Sequence, residues 1–550
     1  MFRKLPFLIV VGIPIIFGHT AFEQNQSRTW KNTTFYAFRG IRFAESPTGV
    51  LRFKAPVPAK TWNNITAIFE NELDRDGSDC PSPNTSYDED CLFLNVYTKC
   101  LNESCLKPVI VFIHPGGFYI GSGSSANFGP EYLMEEDVVL VTFNYRLAFF
   151  GFTSMGTTDA IGNAGFKDQA LALNWVHDHI LHFGGDPSCV TLMGNSAGAM
   201  SVALHMVSPL SRHLFHRAFA VSGGILPQAK SPSSQPHLIE KLAQLIGCTS
   251  NATAFECVRN ASTVSITNNL RKIFNFGWDN PVYPWLPVVE PKNGNEAPFL
   301  DEDPMKLLET GQYNTIPVMA SVTKDETASS GMYLFEHREL LTQWVNDFSR
   351  VGPICMQYEA NDTVSEALRK RYADFQIGDR DNLVDSFVRT AQAFSDAIIT
   401  FPVYRFAQLV KRTNNVHYIK FNYRGPHSMF KCNSTIDKEL CDAIKKLKIV
   451  EHTDDQQYLF TSSSVPRITD EFSPEGQIVR KFTKLVSTFA KTGFPYFGPN
   501  IMTNEAKYES DETYILFDST FQIDKKPFID STMWDELFPV KWHTKTSHHS

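Results

Sequence analysis

Residues 190–206 have the sequence VTLMGNSAGAMSVALHM, and this stretch decides the fold. Val190 to Met193 is a short apolar run that predicts a buried strand, and Ser196 to Met206 is rich in small and apolar residues and predicts a helix. The pattern G-x-S-x-G, Gly194-Asn195-Ser196-Ala197-Gly198, includes the turn between them. In such a turn the serine hydroxyl is exposed at the helix N-terminus, so Ser196 is a candidate nucleophile. A purely structural glycine turn is the alternative.

Other short apolar runs alternate with amphipathic ones along the chain. The segment Asp168 to His182 has apolar residues at helical spacing and predicts a second helix. Five further runs predict strands: Val109 to Ile113, Val138 to Phe143, Ala218 to Val221, Val318 to Val322 and Val416 to Phe421. Strands that alternate with helices predict an α/β fold with a large, mainly parallel central sheet and helices on both faces.

Length and composition exclude some classes of function. The chain has 550 residues, of which 43% are hydrophobic, and this is enough to build a large core. The net charge is −8 and 20% of the residues are charged, so the chain lacks the basic surface that nucleic-acid binding requires. No repeat, low-complexity tract or clear linker divides the chain. We expect one large domain that binds no nucleic acid.

The N-terminus has the pattern of a secretory signal peptide. Arg3 and Lys4 precede an almost wholly apolar segment, Leu5 to Phe17, and the small residue Ala21 ends the pattern. An uncleaved membrane anchor is the alternative, but this segment is short for a membrane span. We expect residues 1–21 to be a signal peptide and residues 22–550 to form a single mature domain. The protein is then expected to be secreted into the extracellular space, without a membrane span.

Sequons and cysteines fit an oxidising, extracellular location. The pattern Asn-x-Ser/Thr predicts glycosylation at Asn25, Asn32, Asn64, Asn84, Asn102, Asn251, Asn260, Asn361 and Asn433. Among ten cysteines, four local disulfides are the simplest arrangement: Cys80 with Cys91, Cys100 with Cys105, Cys248 with Cys257, and Cys432 with Cys441. Cys189 lies in an apolar run and is expected to be a buried free thiol, whereas Cys355 has no assigned role. No Cys/His cluster has zinc-site spacing, so no metal is expected.

A second glycine turn, His114-Pro115-Gly116-Gly117-Phe118, follows the predicted strand Val109 to Ile113. Glycines allow backbone N–H groups to approach a substrate oxygen closely. Gly116 and Gly117, together with the N–H of Ala197, are therefore candidate donors of an oxyanion hole. Pro115 has no N–H and cannot donate.

Several segments together resemble one known family. The matching segments include GIRFA at 40–44, EDCLFLNV at 89–96, NYRL at 144–147, KDQ at 167–169 and FGGDP at 183–187. With the two glycine turns, they identify the chain as similar to the type-B carboxylesterase and cholinesterase family, and most similar to its secreted insect members. The resemblance runs from about Phe35 to Asp535. It implies the α/β-hydrolase fold and hydrolysis of carboxylic esters through an acyl-enzyme on Ser196, without a cofactor.

The resemblance also assigns an acid and a base. The family places its triad acid after the strand Val318 to Val322, at the position of Glu326, with Asp325 as the alternative. The base corresponds to His452, with His427 as the alternative. The expected order of serine, acid and histidine along the chain is that of the hydrolase fold.

Two positions near these residues depart from the family pattern. Thr327 and Ile449 stand where the family usually has glycine, and this puts the conformation of both loops in question. The resemblance further implies two ion pairs that anchor loops near the site: Arg52 with Glu89, and Arg146 with Asp168.

The substrate is less well defined by the sequence. The loop from Cys80 to Cys91 has no Trp, unlike the loop that binds quaternary ammonium in cholinesterases. Asn195 precedes the nucleophile, where juvenile-hormone esterases have Gln. Candidate walls of an apolar pocket are Phe118, Tyr119, Phe149 and Trp285, with a place in the core as the alternative for each. A small lipophilic ester is the expected partner, and neither choline esters nor the hormone are favoured.

Catalytically silent binding and adhesion proteins of the same family are the alternative function. These proteins keep the fold but lose triad residues. This chain keeps Ser196, Glu326 and His452, so a hydrolase is favoured. The sequence does not indicate an oligomeric state.

Overall fold

A computed structural model of the protein describes residues 26–60, 74–83, 87–248, 253–277, 280–291, 297–378, 382–432, 438–499, 501, 507, 513–525 and 529–541. The predicted signal peptide, residues 1–21, lies outside this set. The predicted glycosylation sites Asn25, Asn64, Asn84, Asn251 and Asn433 also lie outside the described residues. The other four predicted acceptors are exposed: Asn32, Asn102, Asn260 and Asn361.

The centre of the fold is one sheet, in which the described residues form eleven strands. These are β1 (Gln26–Arg28), β2 (Thr34–Arg42), β3 (Phe93–Thr98), β4 (Lys107–Ile113), β5 (Val139–Phe143), β6 (Gly185–Asn195), β7 (Arg217–Val221), β8 (Val318–Thr323), β9 (Val416–Phe421), β10 (Tyr514–Phe517) and β11 (Phe521–Asp524). The order across the sheet is β1-β2-β3-β5-β4-β6-β7-β8-β9-β10-β11. The strands from β5 to β10 in that order are parallel, and the outer strands pair antiparallel.

Both faces of the sheet are buried. In β4, Val109, Val111 and Ile113 belong to the core on one face, whereas Ile110 and Phe112 belong to the core on the other. Successive side chains of a strand point to opposite faces, so a strand that is covered on both sides has a continuous apolar sequence. This is why the central strands are visible in the sequence as unbroken apolar runs.

Helices cover both faces of the sheet. They are α1 (Ala148–Phe152), α2 (Ala164–His179), α3 (Ala197–Val207), α4 (Pro236–Leu245), α5 (Ala254–Asn260), α6 (Thr263–Thr267), α7 (Pro304–Glu309), α8 (Ala328–Glu336), α9 (Arg338–Asn346), α10 (Phe348–Met356), α11 (Asp362–Tyr372), α12 (Leu383–Ser395), α13 (Phe401–Val410), α14 (Lys438–Lys445), α15 (Pro474–Thr492) and α16 (Ser531–Leu537). Phe166 of α2 and Val202 of α3 pack on one face of the sheet, and Phe482 and Phe489 of α15 pack on the other. The predicted fold class is confirmed.

The six predicted strands correspond to β4 through β9, and the predicted helix after Asp168 corresponds to α2. Five strands were not predicted from the sequence: β1, β2, β3, β10 and β11. The strands β1, β10 and β11 have only three or four residues, and much of β2 is only half-buried. Of these strands only β1 and β11 lie at the edges of the sheet, and strands that are so short or only half-buried have no long apolar run by which they could be identified.

The structure joins the cysteines in the four predicted pairs, Cys80–Cys91, Cys100–Cys105, Cys248–Cys257 and Cys432–Cys441. Cys189 and Cys355 are free. Cys355 is fully buried, but the expectation that Cys189 is buried is wrong, because it is half-buried. Its Sγ atom accepts a hydrogen bond from Nη1 of Arg217 at 3.2 Å, so a charged side chain from β7 covers it in part.

Two ion pairs anchor loops at the carboxyl ends of the strands. Nε and Nη2 of Arg146 donate to the two carboxylate oxygens of Asp168 at 2.8 and 2.6 Å, and both side chains are buried. Nε of Arg52 donates to Oε2 of Glu89 at 2.8 Å. Nη1 of Arg52 also donates to the carbonyl of Ala261, so this pair joins the region before β3 to the helical region that contains α5 and α6.

Within the described ranges, no helix is long and apolar enough to cross a membrane. In the same residues, no group of three or more His, Cys, Asp or Glu side chains is arranged to hold a metal ion.

Candidate active site

Ser196 lies in the turn between β6 and α3. Its backbone has φ 57° and ψ −119°, a conformation that L-residues rarely adopt and that costs about 1–3 kcal/mol. Gly194 and Gly198 must be glycine because other backbone atoms come too close to leave room for a side chain. A Cβ at Gly194 would lie 2.2 Å from the Gly198 oxygen, and a Cβ at Gly198 would lie 2.1 Å from the Ile113 oxygen. The N–H of Ser196 donates to the Val221 carbonyl at 2.8 Å and holds the turn against β7.

His452 and Glu326 are in direct contact. Nδ1 of His452 is 2.6 Å from Oε2 of Glu326. The other carboxylate oxygen, Oε1, accepts the N–H of Thr323 at 2.6 Å. Two hydrogen bonds therefore hold this carboxylate in place. Glu326 is 1% exposed, so its carboxylate is also shielded from water. The contact leaves Nε2 of His452 as the ring nitrogen that is free to act on a substrate.

Main-chain hydrogen bonds join the acid loop, residues 323–328, to the histidine loop, residues 449–455. The N–H of His452 donates to the Glu326 carbonyl at 2.8 Å, and the N–H of Asp325 donates to the Val450 carbonyl at 2.9 Å. The Asp325 carboxylate accepts the N–H of Val450 and makes no recorded contact with His452. His427, the alternative base, is exposed and does not line the cleft described below.

The two missing glycines do not disturb these loops. Thr327 has φ −129°, which any residue adopts, and its N–H donates to Oγ of Ser395 at 3.1 Å. Ile449 is buried against Ala328 and Met332 of α8. In the histidine loop and just before it, the positive φ angles fall on other residues, Thr453 and Lys448. A glycine is therefore not required at position 327 or 449.

The turn after β4 presents backbone N–H groups to the same region. Gly116 and Gly117 have φ of 125° and 58°, and the Gly116 carbonyl accepts the N–H groups of Tyr119 and Ile120, both at 3.0 Å. In the part of the chain that the structure describes, no hydrogen-bond acceptor is recorded for the N–H of Gly116, Gly117 or Ala197. Ala197 begins α3, where the first N–H groups of a helix have no partner within the helix.

These residues meet in one cleft of about 510 Å³. Ser196, His452, Gly116 and Gly117 all line it, whereas Glu326 lies behind His452. The apolar lining residues are Pro115, Tyr119, Ile120, Phe128, Val282, Met429, Phe460 and Val465. No hydrogen bond between Ser196 and His452 is recorded among the described residues. Such catalytic contacts are often long in the absence of substrate.

Of the four candidate pocket walls, three belong to the core, which was the alternative for each, and only Tyr119 lines the cleft. Phe118, Phe149 and Trp285 are buried in the core. Phe118 packs on Phe152, Phe166 and Tyr283, and Trp285 packs on Phe149. The sequence alone did not distinguish an aromatic side chain of the core from one of the cleft.

Comparisons with known proteins show the family of the chain and its fold. The family model described as "Carboxylesterase family" matches residues 23–528. The chain belongs to the carboxylesterase family. This carboxylesterase is 34% identical over 502 residues to the juvenile hormone esterase of Tribolium castaneum. The match covers 87% of this chain and 83% of that relative. It is 31% identical over 489 residues to esterase E4 of Myzus persicae, covering 85% and 82% of the two chains. It is a carboxylic ester hydrolase, and the alternative of a silent binding protein is set aside.

The fold of the carboxylesterase is that of a solved insect enzyme. The crystal structure of juvenile hormone esterase from Manduca sexta, with OTFP covalently attached, superimposes with a TM-score of 0.76. The match covers 93% of this chain and 97% of that one, at 23% sequence identity.

The histidine loop of the carboxylesterase contains further acidic residues. Asp455 is fully buried, and burial, followed by the negative charge of Glu326, raises its pKa to about 7. Burial also raises the pKa of Glu451 well above its ordinary value. The Asp454 carboxylate accepts hydrogen bonds from the N–H of Met429 at 2.7 Å and of Glu451 at 2.9 Å, and so fixes the turn that holds His452.

One buried residue beside the oxyanion turn was not predicted from the sequence. Tyr283 lies in a segment without helix or strand, and its ring packs on Phe118 of the turn that follows β4, with the ring centroids 5.7 Å apart. Burial raises the pKa of its phenol. No motif marks this position, and only the three-dimensional arrangement identifies it.

Proposed function

We propose that Ser196, His452 and Glu326 form a catalytic triad that hydrolyses small lipophilic carboxylic esters. The observation that carries the proposal is the 2.6 Å contact between Nδ1 of His452 and Oε2 of Glu326, behind a cleft that His452 shares with Ser196. A buried carboxylate at Nδ1 keeps the proton on that nitrogen and leaves Nε2 as the base.

In the acylation step, Nε2 of His452 accepts the proton of Ser196 while Oγ attacks the ester carbonyl. The backbone N–H groups of Gly116, Gly117 and Ala197 stabilise the oxyanion. His452 then protonates the alcohol as it leaves, and the acyl group remains on Oγ. The Glu326 carboxylate stabilises the imidazolium between these two proton transfers.

In the deacylation step, water replaces the alcohol. His452 takes a proton from the water as its oxygen attacks the acyl carbon, and the same N–H groups stabilise the second oxyanion. The bond between the acyl carbon and Oγ of Ser196 then breaks, His452 returns the proton to Oγ, and the acid leaves. These steps use no cofactor.

The lining of the cleft supports a lipophilic substrate. Half of the side chains that line it are apolar or aromatic, and two of these, Ile120 and Met429, remain exposed to solvent. The polar groups are uncharged amides and hydroxyls apart from His452, so a permanently charged alcohol finds no counter-charge there. One relative is named a juvenile hormone esterase, whereas the proposal for this chain is the broader class of lipophilic esters.

We further propose that residues 22–550 are secreted as one domain after removal of residues 1–21. The strands from Gln26 to Asp524 belong to one sheet, which supports a single unit. Four disulfide pairs and exposed sequons support an extracellular location. N-terminal sequencing of the secreted protein and glycosidase treatment test these two points.

The test of the triad is the hydrolysis of a 4-nitrophenyl ester by the wild-type protein and by Ser196→Ala. We expect the substitution to lower kcat by roughly 10⁴–10⁶-fold. Ser201→Ala is the matched control, since Ser201 lies further along α3 and its hydroxyl donates only to the Ala197 carbonyl within the helix. If Ser196→Ala keeps kcat within tenfold of wild type, the proposal is wrong.

The test of the substrate class is a series of 4-nitrophenyl esters with acyl chains of increasing length. Each buried CH₂ contributes about 0.8 kcal/mol, so kcat/KM should rise about threefold to fourfold per carbon until the cleft is filled. A kcat/KM that does not change with chain length contradicts the lipophilic assignment and leaves the triad untouched.

A further inference from the structure

A second cavity, of about 430 Å³, is lined by the loop that carries Glu326. Thr323, Lys324 and Asp325 of the acid loop form part of its wall, and Ile449 of the histidine loop also lines it. We call this space the acid-loop cavity. No described residue lines both the acid-loop cavity and the active-site cleft. A molecule bound in this cavity therefore contacts both loops without entering the cleft.

Further parts of the wall come from α12 and from the chain that joins α12 to α13. Most of the lining side chains of α12 are apolar, namely Phe387, Val388 and Ala391. After α12 the chain makes one π-helical turn, Asp396–Thr400, and the first and last residues of this turn both line the cavity. Single π-helical turns occur frequently at functional sites. The cavity thus has an apolar side on α12 and a carboxylate at the π-helical turn.

That carboxylate, Asp396, is buried and lacks a paired charge. It is 6% exposed, and its Oδ2 atom accepts a hydrogen bond from the Tyr372 hydroxyl at 2.8 Å. Nε1 of Trp534 donates to the same hydroxyl at 3.0 Å and fixes this arrangement. Among the described residues, no hydrogen bond to Oδ1 and no ion pair with a Lys, Arg or His is recorded for Asp396. A buried carboxylate without a counter-charge is costly, and burial raises the pKa of Asp396 to about 7.

Asp396 differs from the other buried carboxylate that lacks a counter-charge. The oxygens of Asp455 are fully buried and have no hydrogen bond of good geometry among the described residues, and Asp455 does not line the acid-loop cavity. Asp396 does line it, so a ligand that enters the cavity reaches its carboxylate.

The other charged side chains in the wall favour a cation as the ligand. Lys324 and Asp325 pair with each other, with Nζ 3.3 Å from Oδ2. Lys420 and Asp530 also line the cavity, and their charges are of opposite sign. The charges of these four side chains cancel, and the carboxylate of Asp396 remains in excess. An ammonium group therefore finds a counter-charge in the cavity, whereas a carboxylate does not.

We propose that the acid-loop cavity binds a small organic ammonium ion, with its ammonium group on Asp396 and a short apolar chain on α12, and that the bound ion lowers kcat. Binding is independent of the triad proposed above, whereas the effect on kcat rests on it.

The acid loop connects the cavity to the triad. Thr323 lines the cavity, and its N–H donates to the Glu326 carboxylate at 2.6 Å. Ser395 also lines the cavity, and its Oγ accepts the N–H of Thr327 at 3.1 Å. The contact between Glu326 and His452 is already short, at 2.6 Å, so a shift of the loop can only lengthen or misalign it. Small errors of this kind lower the rate of the chemical step.

The test of binding is calorimetric titration with hexylammonium chloride at pH 8, where Asp396 is ionised. Two probes with the same chain, 1-hexanol and hexanoate, should both bind more weakly than hexylammonium. Asp396→Asn should weaken hexylammonium binding about tenfold to hundredfold, as for the loss of a hydrogen bond to a charged group. Asp385→Asn is the matched control, because Asp385 is an exposed carboxylate of α12 that does not line the cavity. Its affinity should stay within about twofold of wild type.

A second variant keeps the site testable if Asp396→Asn does not fold, which melting temperatures will establish. Val388 lines the cavity and is 38% exposed, so Val388→Trp is expected to fold and to fill part of the space. It should also weaken hexylammonium binding.

The test of the effect on catalysis is the hydrolysis of a 4-nitrophenyl ester at saturating hexylammonium. We expect kcat to fall by about threefold or more, since a small misplacement of the triad acid is costly. KM should stay within about twofold of its value without the ion, because the ester and the ion occupy different spaces. In Asp396→Asn, the same concentration of hexylammonium should have a smaller effect on kcat.

The outcomes are distinct. Equal affinities of wild type and Asp396→Asn, or tighter binding of hexanoate than of hexylammonium, would overturn the proposed site. A rise in KM with no change in kcat would place the ion in the active-site cleft and would also overturn it. Binding that changes neither constant would overturn the effect on catalysis. A failure of the triad is a separate result, because it appears as activity retained by Ser196→Ala and leaves hexylammonium binding unchanged.

Discussion

Nδ1 of His452 lies 2.6 Å from Oε2 of Glu326, and the N–H of His452 donates to the carbonyl of the same glutamate at 2.8 Å. One residue of the acid loop thus holds both the ring and the backbone of His452. The ring contact selects the tautomer, and the backbone contact sets the distance between the two loops. These are separate physical effects, and substitution can separate them.

Glu326→Gln should lower kcat by about 10³–10⁴-fold with little change in stability. The amide retains an oxygen that accepts the N–H of Thr323, but its NH₂ group then faces Nδ1. The imidazole proton is driven to Nε2, and the base is lost. Asp325→Asn is the control, because the Asp325 carboxylate accepts the N–H of Val450 and not the ring of His452. Steady-state kinetics with a nitrophenyl ester measures kcat for both variants. A fall in kcat of less than tenfold for Glu326→Gln would contradict its role as the triad acid.

Gly117→Ala should lower kcat by about 10²–10³-fold, as for the loss of one oxyanion donor. Gly117 has φ 58°, and an added Cβ would lie 2.8 Å from the Tyr119 ring, so the turn and its N–H groups must move. Gly247→Ala is the matched control: it also has a positive φ, 78°, but its Cβ meets nothing within 4 Å. If the two alanine variants have the same kcat, Gly117 does not contribute to the oxyanion hole.

Arg146→Ala should destabilise the fold by about 3–5 kcal/mol, because it leaves the Asp168 carboxylate buried without its partner. The comparison is Arg42→Ala. Arg42 pairs with Asp90 at a site where both side chains are about one-third exposed, and such pairs contribute about 0–1 kcal/mol. Midpoints of urea unfolding measure both. Equal shifts of the two midpoints would mean that burial does not determine the importance of the Arg146 pair.

Asp455→Asn should raise stability at neutral and alkaline pH and not at acid pH. Burial and the charge of Glu326 raise the pKa of Asp455 to about 7, against about 3.9 for an unfolded Asp. Between these values the folded protein binds one proton more than the unfolded chain, so wild-type stability falls as the pH rises from about 4 to about 7. The Asp455→Asn variant has no carboxyl group at this position and does not lose stability in this way. Its advantage should grow across that range to about 2–4 kcal/mol and then remain constant.

Thermal unfolding of both proteins at pH 5, 6, 7 and 8 measures the difference, since most other titrating groups are common to the two. A difference in melting temperature that does not vary with pH would show that Asp455 does not titrate in this range.

The central strands and the turn at Ser196 could be predicted because their causes are local. Strands buried on both faces need continuous apolar sequence, and the strained turn at Ser196 needs glycine at positions 194 and 198. The assignment of Glu326 and His452 required the family resemblance, because the contact joins loops that are far apart in sequence.

The remaining features depend on packing that no local pattern encodes. Phe118 and Tyr119 are neighbours in sequence, yet one lies in the core and the other lines the cleft. Thr327 and Ile449 could be judged only from the observed φ angles, which show that neither position needs glycine. The backbone of Tyr283 is held by the side-chain amide of Gln357, the residue that follows α10, and nothing in the sequence connects these two residues.

The central claim is that Ser196 is the nucleophile, and the most direct measurement is labelling with a fluorophosphonate probe followed by peptide mapping. The native protein should carry one adduct, on Ser196, while the heat-denatured protein and Ser196→Ala carry none. An adduct on another residue, or no adduct on the native protein, would contradict the account.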